Sequence, residues 1–526
     1  MKLRQSPWRS IFLAIWASVC LGWGILSQPA LADTLPTAPP TPQVAAATSI
    51  QPYLDRVKQR VTEFRLANGL KFIVLERHQA PVISFLTYAN VGGADEPEGQ
   101  TGVAHFLEHL AFKGTTKIGT TNYPAEQKFL KRLDQLFDQI QVAKAARKTT
   151  ELAKLKAEFN KTKVLADSYI KQNELSQIVE QAGGVGLNAS TSVDATNYFY
   201  SFPSNKLELW MSLESERFLE PVFREFHEEK AVILEERRLR VENSPTGKFL
   251  EAFLDRAYTT HPYRRPVIGS TQDIENLRRE DVQKFFETYY VPNNLTIALV
   301  GDVNPDQVKQ LAQIYFGRYP AKPAPPTVKQ VEPPQTQPRE LTMRLPSQPM
   351  YVEAYHRPAM SHPDHVVYEM IGSILSDGRT SRLYRSLVEN QQVALSAAGF
   401  SGYPGDKYPT LMLFYALTAP GRSIEQVAQA LEVEIERLKT EPVSAQELDR
   451  VKTQVRAGLL GLLSSNMGMA SSLLEYEVKT GNWRNLFRQL DAIAAITPAD
   501  VQRVAQATFR PENRTIGRLL PQESQS

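Results

Sequence analysis

The sequence predicts an α+β fold: two homologous α/β-sandwich halves joined by a Pro-rich linker, with a helical hairpin inserted into the first half. Three observations carry this expectation. Strand-like alternation at 70–76 (LKFIVLE) and 82–91 (VISFLTYANV) is interleaved with helical patterning at 101–112, 205–220, 223–243, 425–439 and 444–465, as in mixed architectures. Seven prolines between 319 and 339 interrupt the chain where neither a strand ladder nor a helix could continue. The stretches on either side of that break end alike, in DVQKFFETYYVPNNLTIALVG from Asp281 and DVQRVAQATFRPENRTIGRLL from Asp500. In both, Asp-Val-Gln opens a helix, proline follows eleven residues after the Asp, and Thr-Ile enters an apolar strand (Leu295–Val300 or Thr515–Leu520). Matched spacing of this kind points to duplication.

The N-terminus reads as a signal peptide over 1–32. Lys2, Arg4 and Arg9 precede an apolar run from Ile11 to Leu26, and Ala30-Leu31-Ala32 has the form of a cleavage site. A retained membrane anchor is the alternative, although the run is short for a span. Residues 33–54, rich in Pro, Thr and Ala, read as a flexible tether. The first folded half is expected at 55–318, the linker at 319–339 and the second half at 340–526. Within the first half, Phe129, Leu133, Leu136, Phe137 and Ile140 mark one helix face and Leu152, Leu155 and Phe159 another. They make 125–180 a charged helical hairpin, either a solvated protrusion or a docking arm.

Length and charge narrow the function. At 526 residues the chain can bury several cores. Its 60 basic and 57 acidic residues become 57 against 57 once the leader is removed, which gives no reason to expect a nucleic-acid partner. No later stretch is apolar enough to span a bilayer. The only cysteine, Cys20, lies in the leader, so the mature chain would have no disulfide, thiolate ligand or cysteine nucleophile. Export would place it in the periplasm or outside the cell.

The chemistry gathers in HFLEHLAFKGT, from His105 to Thr115. A helix turns about 100° per residue, so His105 and His109 lie about 40° apart and can reach one point. Glu108 borders that face. Neutral imidazoles suit zinc, and an adjacent carboxylate can take a proton from a water that the metal acidifies. This is an H-x-x-E-H arrangement, the inverse of H-E-x-x-H. A third ligand is needed, and FHEEKAVILEERRLRVEN (226–243) offers Glu229 and Glu236, two turns apart on one face. Ala231, Val232, Ile233 and Leu234 make this helix partly buried, so its carboxylates need partners. Arg237, Arg238 and Arg240 could equally pair with them on an exposed face. Spacing alone leaves that choice open.

Four segments in order resemble the pitrilysin/insulinase (inverzincin) zinc metallopeptidases, which include the mitochondrial processing peptidase. They are 65–115, GGVGLNASTSVDATNYF (183–199), EEKAVILEERR (228–238) and HPYRRPVIGS (261–270). The resemblance implies one Zn2+ per chain on His105, His109 and Glu236, with Glu108 as general base and Glu229 orienting a histidine. It implies that Asn188 and Ala189 lie on an edge strand that takes up an extended peptide or unfolded polypeptide. The long interval from His109 to Glu236 is assigned to the hairpin insertion. Active members or their partners carry an Arg and a Tyr seven residues apart after the SRL helix start; this chain has Val388 and Leu395 there, and Arg385 is followed seven residues on by Gln392. A homologous partner subunit supplying that pair is therefore expected. The competing expectation is a non-catalytic structural member serving in assembly or binding. The remaining histidines, His78, His227, His356, His362 and His365, read as loop or exposed helix-end residues, and His261 as a structural turn residue.

Overall fold

The computed structural model describes residues 51–522. The expected leader and the expected tether up to residue 50 lie outside the described residues. The end of that tether is a correction: a helix spans Gln51–Gln59, with Pro52 in its first turn, where a missing amide costs little, and Leu54 is buried.

Two sheets organise the chain. The first comprises β1 (Val61–Arg65), β2 (Lys71–Glu76), β3 (Val82–Ala89), β4 (Val185–Thr191), β5 (Thr196–Pro203) and β6 (Leu295–Gly301), in the order β1-β2-β6-β3-β5-β4. The second comprises β7 (Arg339–Arg344), β8 (Met350–Arg357), β9 (Ala394–Tyr403), β10 (Thr410–Thr418) and β11 (Arg514–Leu520), in the order β7-β11-β8-β10-β9. β2 runs parallel to β6, and β6-β3-β5-β4 are successively antiparallel. β7 runs parallel to β11, and β11-β8-β10-β9 repeat the antiparallel series. The halves are therefore homologous in order and direction, and β1 is an addition to the first.

The matched terminal segments have one physical role in both halves. After the Arg279–Tyr289 helix, Asn294 Nδ2 donates to Tyr289 O at 2.9 Å and to Asn90 O at 3.3 Å. After the Pro498–Thr508 helix, Asn513 Nδ2 donates to Thr508 O and to His356 O, each at 2.9 Å. Each carboxamide closes its helix and fastens the turn to the neighbouring strand's end.

Helices are exchanged across the two halves. The Asn466–Thr480 helix of the second half packs on β3 and β6 and buries Met469, Leu473 and Leu474. The Pro245–Ala257 helix of the first half packs on β7 and β11, where Phe249 and Phe253 join a cluster with Val352, Leu411 and Leu413. Gly517 on β11 permits this approach, since a Cβ there would lie 2.6 Å from the Phe249 ring. The linker runs without helix or strand to residue 338, and Arg339 already belongs to β7, one residue earlier than expected. It lies along the first half, where Glu332 accepts from the amides of Thr259, Thr260 and His261.

The hairpin consists of helices Tyr123–Ala145 and Thr149–Asp167, followed by a third, Glu174–Gln181. Its base is fixed rather than free. Glu126 and Arg224 form a fully buried ion pair at 2.8 Å, and Leu130, Leu133, Ala166 and Val222 pack around it. No single helix among the described residues is long and apolar enough to cross a membrane. Ala445–Ser464 and Asn466–Thr480 meet the combined demands of length and apolar composition only together, across a 111° bend.

Candidate metal centre

HFLEH lies on the short Val103–Leu110 helix. Val103, Phe106, Leu107 and Leu110 are buried and hold the helix in the first core. Its entry is tightly built. Gly102 adopts φ 90°, and a Cβ there would lie 2.7 Å from Ile268 O, so glycine is required. Glu96, itself buried, accepts from the amides of Gly102 and Ala104 at 2.9 Å each and satisfies donors the helix cannot. Burial is the largest influence on Glu96 and pushes its carboxyl up to about 8 against those hydrogen bonds.

The partner helix is Phe226–Arg237. Phe226 stacks on Phe106 with ring centroids 4.8 Å apart, which docks one helix on the other. Ile233 is the buried member of the expected apolar run. Ala231 and Val232 are exposed, because that face of the helix looks outward. The chain then passes through a π-helical turn, Arg238–Glu242.

These two helices bring three candidate ligands together. Glu236 Oε2 lies 3.7 Å from Nε2 of His105 and 3.7 Å from Nε2 of His109. Both separations are too long for hydrogen bonds. They are close to the edge of a tetrahedron with zinc-length bonds, about 3.4 Å. The candidate ligand atoms of all three residues lie within 4.8 Å of one another, the one such trio among the described residues. His105 Nδ1 is buried without a hydrogen-bond partner. His109 differs, its Nδ1 being tied to Glu229, the usual support behind a metal-ligating imidazole.

Electrostatics divide the roles. Burial, then the charges of His109 and Arg240, hold His105 well below the usual imidazole range, favouring its neutral form. His109 Nδ1 donates to Glu229 Oε2 at 3.0 Å, which leaves Nε2 as the lone-pair nitrogen facing Glu236. Burial lowers His109, but the bond to Glu229 and the surrounding carboxylates outweigh it and raise it. Burial raises Glu229, and its contacts with His109 and Lys113 overcome that and hold it ionised. Lys113 Nζ lies 2.6 Å from Glu229. Burial raises Glu108, partly opposed by a 2.5 Å hydrogen bond from Thr191 Oγ1.

Asn188 and Ala189 lie on β4, which forms the edge of the first sheet and packs beside the HFLEH helix. They pair with Phe199 and Tyr198 of β5, and the opposite edge is unpaired by any strand among the described residues. Asn188 Oδ1 accepts from the Ala189 amide at 2.9 Å.

Arg240 Nη2 lies 2.7 Å from Glu236 Oε1, Arg238 pairs with Glu235 at 2.7 Å, and Arg237 reaches Glu251 at 3.0 Å. Of the two candidate carboxylates, Glu236 makes both the arginine and the histidine contacts, whereas Glu229 is held by Lys113 and His109. Arg240 pairs with a glutamate as the sequence allowed, whereas Lys113 escaped the sequence reading, though it stands four residues beyond His109. Thr191 had no local signal, because its approach to Glu108 depends on how β4 packs.

Three other histidines correct the loop expectation. His227 sits among the rings of Phe137, Phe159 and Phe226, where burial, then nearby cations, push it down to about 3. His356 is on β8 and meets Ala257 O at 3.0 Å, and His365 is buried at a helix start. An aromatic or backbone partner makes burial tolerable for His227 and His356, and the Arg357 guanidinium stands 3.5 Å from His365 Nδ1. His261 Nδ1 accepts from the Tyr263 amide, a turn contact. In the second half, Val388 packs against the core, Leu395 is exposed on edge strand β9, and Arg385 is exposed.

Family comparisons bear on these residues. The model described as Insulinase (Peptidase family M16) matches 72–136 and 156–271, and one described as Peptidase M16 inactive domain matches 276–455. The chain belongs to the pitrilysin/insulinase family of zinc metallopeptidases. The Helicobacter pylori zinc protease PqqE is 28% identical over 487 residues, covering 91% of this chain and 96% of that protein. The crystal structure of a protease from Helicobacter pylori superposes with a TM-score of 0.74 at 27% identity, covering 88% of this chain and 99% of that one. The periplasmic protease PqqL from Escherichia coli gives a TM-score of 0.66 at 17% identity, over 88% of this chain and 48% of that one. This insulinase-family chain thus spans about half of PqqL. The family match omits 137–155, so what exceeds the common pattern is the tip of the hairpin, not all of 125–180.

Proposed function

We propose that this chain is an exported zinc endopeptidase, acting in the periplasm or outside the cell as the catalytic subunit of a dimer. The observation that carries the reading is the convergence of His105, His109 and Glu236 on one point beside Glu108. His105, His109 and Glu236 would hold one zinc, and Glu229 would keep His109 in the right tautomer. A zinc bound there supplies Lewis acidity that polarises a peptide carbonyl and acidifies a water.

Glu108 takes the proton of the attacking water and returns it to the leaving amine. Its burial supports this, since a raised carboxyl can both accept and give back that proton. Substrates are peptides or unfolded segments. An extended chain would add to the free edge of β4 at Asn188 and Ala189 through main-chain hydrogen bonds, which select shape rather than side chains. The dimer is supported by Val388 and Leu395 in place of the Arg/Tyr pair, and by the half-length match to PqqL.

Glu108→Gln decides between this reading and a non-catalytic structural member. It is expected to lower peptide hydrolysis by about 10²–10⁴-fold while zinc stays bound at one per chain. Wild-type rates in that variant, or a purified chain that binds no zinc, would remove the enzyme reading.

A further inference from the structure

The Thr191 hydroxyl stands at a junction that the proposed chemistry leaves unexplained. It donates to Glu108 Oε2 at 2.5 Å. Thr191 is the last residue of β4, two residues beyond Ala189, so the two side chains share a face of the strand. That face is the half-buried one, whereas Asn188 and Ser190 are exposed. Across the sheet Thr191 pairs with Thr196, whose hydroxyl is 3.4 Å from its own. Thr196 is fully buried and donates to Val91 O at 3.0 Å. A β-branched side chain in a strand has few χ1 choices, so the backbone of β4 sets where Oγ1 points.

We propose that Thr191 is a positioning residue that ties the carboxylate of Glu108 to the strand on which the substrate is laid. The hydroxyl has one proton and gives it to Oε2, which leaves Oε1 as the free acceptor for the proton of the attacking water. Because the donor belongs to β4, a peptide added to β4 arrives in a fixed register with that oxygen. Binding and proton transfer therefore share one rigid element, and no separate movement is needed to bring the base into line.

This inference rests on the peptidase reading, and two readouts keep the two separable. Thr191→Val keeps the branched shape and removes the proton, and Thr191→Ser keeps the proton. Both are assayed as the purified chain with any partner that co-purifies. T191V is expected to lower kcat by about tenfold with KM and zinc content unchanged, and T191S to restore most of kcat. A T191V enzyme with wild-type kcat overturns the inference, as does one that changes KM alone. The crystal structure of T191V is expected to show the Glu108 carboxylate turned from its wild-type direction, and an unmoved carboxylate overturns the inference as well. If the wild-type chain hydrolyses no peptide, the peptidase reading falls and this crystallographic comparison alone decides the role of Thr191. If T191V does not fold, Thr191→Ala takes its place in both measurements.

Discussion

Arg240 holds Glu236 by the oxygen that the histidines do not face. Its Nη2 lies 2.7 Å from Oε1, while Oε2 stands 3.7 Å from Nε2 of His105 and of His109. One carboxylate is thereby split into a gripped and a presented oxygen, which favours a single-oxygen ligand of fixed direction. Arg240→Ala frees the carboxylate to rotate and leaves its second oxygen unpaired. Zinc affinity is expected to fall by about tenfold, in the range of losses from partners behind metal ligands. Competition against a chelator of known affinity reads this directly, and an unchanged affinity would show that Glu236 needs no such hold.

The link from Lys113 through Glu229 to His109 makes a second expectation. Glu229→Ala removes the acceptor for His109 Nδ1 and the partner of Lys113 together. The imidazole then loses its fixed tautomer, and zinc affinity is expected to fall by about 10–100-fold with the fold intact. The same chelator competition, alongside circular dichroism, checks both statements.

Much of this site was legible because helical periodicity is a local property. His105, Glu108 and His109 fall together on any helix, and Glu229 and Glu236 on another. Docking of the two helices is not local. It depends on Phe106 stacking on Phe226, two rings 120 residues apart in sequence that no spacing rule connects. Thr191 was invisible for the same reason. At the level of the fold, β2, β3, β6, β11 and the proline-rich break were readable, and the matched Asp281 and Asp500 segments revealed the duplication. The exchange of the Pro245–Ala257 and Asn466–Thr480 helices was not, since local patterning marked neither segment and their partners lie in the other half.

Contact between the halves gives a pH dependence. Glu63 on β1 accepts from Trp483 Nε1 at 3.1 Å and from Arg484 at 2.8 Å, and lies 2.9 Å from Lys71. Burial alone would raise its carboxyl, but Arg484, Lys71 and Trp483 outweigh it and hold the group at about 2, against an ordinary 4.5. A depressed carboxylate stabilises the folded chain above its unfolded pKa, and that contribution is lost as pH falls through the folded value. The window is therefore pH 4.5 down to 2. Glu63→Gln is expected to lower the Tm at pH 7 and to flatten the acid-side fall in that window. Thermal melts from pH 7 to pH 2 compare the two slopes, and parallel curves would remove Glu63 as the cause.

The hairpin separates into a part the fold needs and a part it does not. Glu126 and Arg224 are fully buried, and Arg224 also donates to the carbonyls of Lys113, Thr115 and Ile118, in the loop that leaves the HFLEH helix. Glu126→Ala would leave a guanidinium buried with no counter-charge, a loss of about 3–5 kcal/mol. The tip is different: residues 144–151 are exposed, and 137–155 fall outside the family match. Replacing 139–153 by a short glycine-containing turn removes little buried surface and is expected to change the stability by less than about 1 kcal/mol, with zinc content unchanged. Urea melts of the two variants side by side test the division. A destabilised tip deletion would make the whole hairpin structural, and a stable E126A would show that the base is held by Leu130, Leu133 and Val222 without the ion pair.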